Sequence, residues 1–465
     1  MKYLFKMFIF TLFSLLIFNR DGENLIHSVQ NLNFLIKHTP SFNSHNFNQL
    51  KPNSIDSWIN LNTIKDQKDI SKNKDDSNII QSAIDTGKNV FIPADSYKVD
   101  KEIRINNSNQ IIYSEGGKIV SSFNKNNVFK FENISNNLIF GLKFVSNYSS
   151  RHSAAINIVS SNNIVILGNS FSNYLGGGVI IRGTSSRNII SKNFFSNVSY
   201  APSSTYGADY GSIALGEFTS HNTVSNNDIS KARHSGISLV SSNNNQLLNN
   251  IIHNDKTSKR SMGIYTIDSS DNSIDSNYIN NSYAEGIVIQ STTNSHSSRN
   301  KIYKNIIQGA KYTGISVVGK EKILVENLSI KENIIKSINY STDHGIFLKN
   351  VGFVNINNNE IYGVQNGVRS TGTKNNNIFL IGNSLSDILD DGITVTGTKS
   401  LLLNNTLNNI KGNGIRLINT TNNVIANNTI KNIENYGILS EHSSKDFIIT
   451  NNSYDQGTKV LIKNK

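Results

Sequence analysis

From about residue 130 the chain repeats one pattern of polar and apolar positions. Asn-Asn-x-Ile is followed by a few residues, then Asn-x-Ile, a short gap, and Gly-Ile-x-Ile/Leu/Val. In Gly236–Val240, Ile237 and Leu239 alternate with Ser238, the period of two that marks a strand. The glycines that open this last element are Gly178, Gly211, Gly236, Gly263, Gly286, Gly314, Gly345, Gly367, Gly392, Gly414 and Gly437, spaced by 22 to 33 residues. A period of that size is the signature of a solenoid. A second register agrees in phase: Asn277, Asn305, Asn333, Asn359, Asn383, Asn405, Asn428 and Asn452 each stand just before an apolar residue. Asn tolerates left-handed backbone angles and can bond its neighbours above and below, so these positions predict a stacked tight bend. The predicted fold is all-β, a right-handed parallel β-helix with coils about 4.8 Å apart. The leucine consensus of leucine-rich repeats is missing.

Upstream of the repeats the period changes. Ser77 is the predicted N-cap of a helix over about 77–86 whose Ile80, Ala83 and Ile84 share a face, and Gly87 stands where a C-cap glycine belongs. Residues 89–93 and 97–99 read as the first strands. Such a helix closes a stack whose core would otherwise be open. The predicted organisation is residues 1–20 as a signal peptide or anchor, 21–74 as an extension and 75–465 as one β-helix, with coils over about 89–460. Lys2 and Lys6 flank the apolar run Met7–Phe18, which is short for a bilayer span. A secreted, periplasmic or cell-surface location follows, with membrane attachment only if that segment is uncleaved.

The stretch Asp75–Val99 (DDSNIIQSAIDTGKNVFIPADSYKV) resembles the opening of pectate-lyase-like β-helix proteins, a group of polysaccharide lyases, mannuronan C5-epimerases, polygalacturonases and tailspike depolymerases. Ala94-Asp95-Ser96 lacks the glycine usual before Tyr97. The resemblance implies the β-helix fold and a polysaccharide ligand.

Composition narrows the chemistry. The chain has no cysteine, which excludes disulfides, thiolate catalysis and thiolate metal sites. Its formal net charge of +12 favours a polyanion. The basic residues are scattered and no nucleic-acid-binding motif occurs, so the expected partner is an acidic polysaccharide, not a nucleic acid. No cofactor is expected, and no motif supports a calcium or other metal site. The sequence leaves the oligomeric state open.

Residues at one offset from successive glycines line up along a solenoid. The positions before the glycines carry Tyr206, Asp209 and Tyr210; Lys231, Arg233 and His234; Lys259 and Arg260; Tyr283 and Glu285; Lys311 and Tyr312; and Asp343 and His344. They predict a groove over coils 206–345 and leave the later coils as scaffold. Removing the C5 proton of a uronate needs a cation on the carboxylate, a base and a proton donor. In the lyase or epimerase reading His234 is the base, Arg233 with Lys259 or Arg260 neutralises the carboxylate, Tyr206 or Tyr210 donates the proton, and Asp209 orients His234. Lys231, Tyr283, Glu285, Lys311, Tyr312 and His344 bind substrate. The stretch Arg233–Asn243 is similar to an Arg-His-Gly-Phe-Asn segment of mannuronan C5-epimerases, and Ala208-Asp209-Tyr210 to their Ala-Asp-Tyr; their Tyr-Gly-Phe-Asp-Pro-His-Glu motif has no counterpart near 176–182. His234-Ser235-Gly236 also resembles the Gly-His-Gly of polygalacturonases. Two alternatives stay open: a glycoside hydrolase using Glu285, Asp209 or Asp268, and a glycan-binding surface protein without catalysis.

Overall fold

A computed structural model describes residues 58–67, 75–122, 127–147, 154–198, 211–254, 261–292, 295–338, 341–441 and 444–462. Every strand pairing is parallel to the corresponding strand one coil away, as in Phe144–Phe171–Phe195 and Ile237–Ile264–Ile287–Ile315. Among the described residues two ladders result: one of 15 strands, and one of 31 that covers the other two walls of each coil. The predicted β-helix is therefore present.

The cap differs in detail. The helix Ser77–Asp85 buries Ile80, Ala83 and Ile84 as expected, and Gly87 takes φ +70° with its N–H on the Ile84 carbonyl. The N-cap position falls on Asp76, not Ser77, and Asp75 receives the Ser77 N–H and hydroxyl. The cap also starts earlier than residue 75. Ile59–Asn60 pairs with Val90–Phe91 as an extra strand, and Leu61–Gln67 is helical, with Leu61 in the core. The signal segment lies outside the described residues, among which no helix is long and apolar enough to cross a membrane.

The interior is one continuous apolar column. Phe144, Phe171 and Phe195 stack through it with centroids 5.2 and 4.7 Å apart, and Ile and Leu fill the later coils. At one corner the Asn register forms an unbroken chain from Asn169 to Asn452. Asn305 Nδ2 donates to the Ile274 and Tyr303 carbonyls and to Asn333 Oδ1, each at 2.9 Å, and its own Oδ1 accepts from the N–H and Nδ2 of Asn277. These asparagines are not the left-handed residues. That conformation falls one place earlier, on Asn249, Ser276, Lys304, Glu332, Asn358 and Asn404. The ladder Asn is selected for its amide, and its predecessor makes the bend. Asn305→Ala leaves buried partners on two coils unsatisfied, at about 1–3 kcal/mol each. Thermal melting is expected to show a loss of at least about 3 kcal/mol, whereas the exposed Lys304→Ala should cost under about 1 kcal/mol.

Candidate functional site

The glycine strands Ser235–Val240, Met262–Ile267, Glu285–Gln290, Thr313–Val318, His344–Lys349 and Asn366–Thr371 lie side by side. Their apolar positions enter the core, so alternate residues line the outer face in register. The column before the glycines includes Glu285, Thr313, His344 and Asn366. The column two places after them runs Ser238, Tyr265, Val288, Ser316, Phe347, Arg369, Thr394 and Arg416.

Three expected binding residues meet on this wall. Lys311 Nζ lies 4.4 Å from the Tyr283 ring centre and 5.4 Å from that of Tyr312, and donates to the Tyr283 hydroxyl at 3.3 Å. The two rings stand edge to face, 6.4 Å apart. The hydroxyl bond and the Asp343 charge hold the Lys311 ammonium above its usual range. Burial pushes the neighbouring Glu285 carboxyl up. A cation held between aromatic faces suits an anionic sugar: the rings stack on pyranose faces and the ammonium meets a carboxylate.

His344, expected to bind substrate, sits in a richer setting. Its ring stacks on Phe347 at 5.3 Å. Burial first, and then the Arg369 charge, lower its pKa against the opposing pull of Asp343. Its Nδ1 is buried with no hydrogen-bond partner among the described residues. A neutral imidazole beside an arginine is the form a general base needs.

The coils read as scaffold carry charge. Buried Asp391 accepts from the Asn413 N–H and Nδ2 at 3.0 and 2.7 Å, from Thr394 Oγ1 at 3.2 Å and from Arg416 at 3.2 Å. Arg416 also bonds Glu441 at 2.8 Å. Partial desolvation of its carboxyl, then the Asp391 charge, raise the pKa of Asp390 against the opposing charges of Arg369 and Arg416. Asp343 and Asp390 each stand two places before a glycine, on coils two apart, which is roughly 10 Å at the usual strand separation. The outward column thus carries charge in these coils as well, and among the described residues those charges bond one another.

The proposed His234 centre is only partly described. Tyr206, Asp209, Tyr210, Lys259 and Arg260 lie outside the described residues. His234 is buried, 3.3 Å from Ser235 Oγ and edge-on to Tyr265 at 5.8 Å. Arg233 is exposed and donates to Asn197 at 3.0 Å. Lys231 is exposed, with φ +55°, in the turn that follows Asp228–Ser230. The carboxylate of Asp268 accepts the N–H and hydroxyl of Thr292 at 2.7 and 2.6 Å, which braces a loop. Tyr265, Phe347, Arg369, Asp390, Asp391 and Arg416 were not predicted. The signal for Tyr265, Phe347, Arg369 and Arg416 was the position two after each glycine, outward by the same period of two that placed the core. Among the described residues no group of His, Asp and Glu could hold a metal ion.

A repeated coil with every strand paired to its counterpart on the next defines a class of elongated parallel solenoids. The family model for the right handed beta helix region matches residues 139–295 and 314–464, and the chain belongs to that family. No curated protein matches the chain by sequence. Among solved structures it is similar to a tailspike protein mutant of E. coli bacteriophage HK620, with 14% identity, TM-score 0.57, and 85% of this chain and 78% of that one covered. It is also similar to the catalytic domain of a GH87 alpha-1,3-glucanase in complex with tetrasaccharides, with 14% identity, TM-score 0.53, and 86% and 68% covered. At these identities the likeness is one of fold.

Proposed function

We propose that this protein acts on an acidic, uronate-containing polysaccharide laid along the glycine-strand wall, in a secreted, periplasmic or cell-surface setting, as a lyase or C5-epimerase. The observation that carries this reading is the Tyr283–Lys311–Tyr312 cluster beside a neutral His344 and Arg369. Lys311 or Arg369 neutralises the uronate carboxylate, which acidifies C5. His344 takes the C5 proton, in place of the buried His234. Glu285, whose carboxyl pKa burial raises, or Tyr312 returns a proton, to the glycosidic oxygen in a lyase or to the opposite face of C5 in an epimerase. A fold neighbour solved with tetrasaccharides supports a saccharide ligand.

The test is incubation with alginate, pectate and other uronans, followed by ultraviolet absorbance of unsaturated ends and NMR of C5 configuration. If no uronan gives either product, this reading fails. Lys311→Ala is expected to lower kcat/KM at least about tenfold, because a charge-assisted contact to the carboxylate is worth about 1.5–3 kcal/mol; an unchanged kcat/KM removes Lys311 from the site.

A second reading is glycosidic hydrolysis, and the Asp343–Asp390 spacing favours it. Their backbones stand two coils apart, roughly 10 Å, which leaves room between the side chains for the water that an inverting pair holds across about 6.5–9.5 Å. Asp390, its pKa raised, would donate to the leaving oxygen, and Asp343 would deprotonate water. New reducing ends without unsaturation would select this reading over the first.

A further inference from the structure

The 15-strand wall faces away from the glycine strands and has its own outward columns. One runs Phe194, Asp228, Ile251, Tyr278, Ile306, Ile334 and then Glu360, Ser384, Thr406, Thr429, Ser453. The same register position is thus mostly apolar from Phe194 to Ile334 and polar on either side, with Lys118, Lys143 and Ser170 on the coils before it and Glu360 to Ser453 after it. Phe194, Ile251 and Ile306 are 45%, 40% and 37% exposed. The apolar stretch spans five strand separations, roughly 24 Å. Solvation of an outer face does not explain it, since the later coils meet the same demand with Ser and Thr. An exposed ridge that is apolar at each of these coils but Asp228 marks a contact surface.

Charge selects the occupant. The chain carries a formal +12, so two copies repel unless they meet where basic residues are few. The ridge's charged positions are Asp228 near one end and, in the neighbouring outward column beside Ile334, Lys336 at the other. A two-fold axis between the Ile251 and Tyr278 positions sets Phe194 against Ile334 of the second copy and Ile251 against its Tyr278. It also brings Lys336 of that copy one coil along and one outward column across from Asp228, roughly 8 Å between backbones in the plane of the wall, within reach of the long lysine side chain, twice by symmetry. The patch is self-complementary in shape and in sign, as an isologous contact requires.

We propose that the ridge Phe194–Ile334 is the interface of an antiparallel two-fold dimer of this chain, which leaves both glycine-strand walls facing outward. The test is light scattering and sedimentation velocity of the full chain across concentration, with melting curves to confirm folding. The wild type is expected at twice the chain mass. Ile251→Lys with Ile306→Lys is expected to weaken association at least about 30-fold, the effect of losing one 2 kcal/mol anchor. Asp228→Lys should weaken it too, and adding Lys336→Asp should restore it. A wild type that is monomeric at all concentrations, a trimer, or a dimer unaffected by the folded Ile251→Lys/Ile306→Lys variant overturns the proposal. The Asp228/Lys336 swap keeps it falsifiable should the double lysine variant fail to fold.

Discussion

Gly314→Ala is expected to prevent the stack from closing at mid-length. A methyl at residue 314 would lie 2.4 Å from Ile335 Cγ2 and 2.6 Å from the Gly345 carbonyl oxygen. The first neighbour is a packed core side chain and the second is backbone of the next coil, so neither can give way alone. The coil separation is fixed by ladder hydrogen bonds on either side, such as Asp343 N–H to the Lys311 carbonyl at 3.2 Å and His344 N–H to the Tyr312 carbonyl at 3.0 Å. Overpacking of this kind costs about 1–3 kcal/mol in adaptable cores, and a backbone clash places Gly314 above that range. The expected result is little soluble protein, or melting lowered well beyond that of Gly216→Ala, whose added methyl would meet its nearest atom at 3.4 Å. Equal melting of the two variants would show that crowding does not fix the glycine register.

His344→Gln is expected to abolish turnover on whichever uronan the wild type processes, by about 10²–10⁴-fold, with substrate still bound. Glutamine keeps a polar group beside Phe347 but cannot take a proton. The pH profile gives an independent readout. Burial and the Arg369 charge lower the His344 pKa, so the base form persists into mildly acidic solution. The acidic limb of kcat/KM should therefore fall below the usual histidine range. Arg369→Gln removes one of the two depressing influences and should move that limb towards higher pH. The same shift bears on stability: the native state binds this proton less tightly than the unfolded chain, so His344 weakens the fold as pH drops through its unfolded-state pKa. A turnover unaffected by His344→Gln removes the residue from the chemistry.

The fold was legible because a solenoid writes its geometry into sequence at a fixed period. The glycines mark where two inward residues meet, and the Asn register marks the corner. What the pattern concealed was which residue bends. Ser276, Lys304 and Glu332 adopt left-handed angles although none is a usual choice for them, because ladder bonds on both sides impose the conformation. The site was less legible for a different reason. Separation along the chain sets Asp390 and Asp391 far from His234. Along the wall, distance is counted in coils, and Asp390 is two coils from Asp343. Arg369 has the same offset from Gly367 as Tyr265 has from Gly263, which places both on the outer face. Ser77 was taken for the cap because its side chain suits the role. Asp75 claims that hydroxyl, so the capping position falls one residue earlier.

The asparagine chain has a consequence for how such a molecule grows. Each ladder amide takes its bonds from its own coil and the two beside it, so a coil carries its own joint at both ends. Copying one 22- or 23-residue unit, such as Gly392 to Gly414, inserts a segment whose donors and acceptors match those on either side, with no distant compensation. Gene duplication can therefore lengthen the molecule in steps of about 4.8 Å, one more place along the wall at a time. Each new place is free to drift in its outward residues while its inward ones stay fixed.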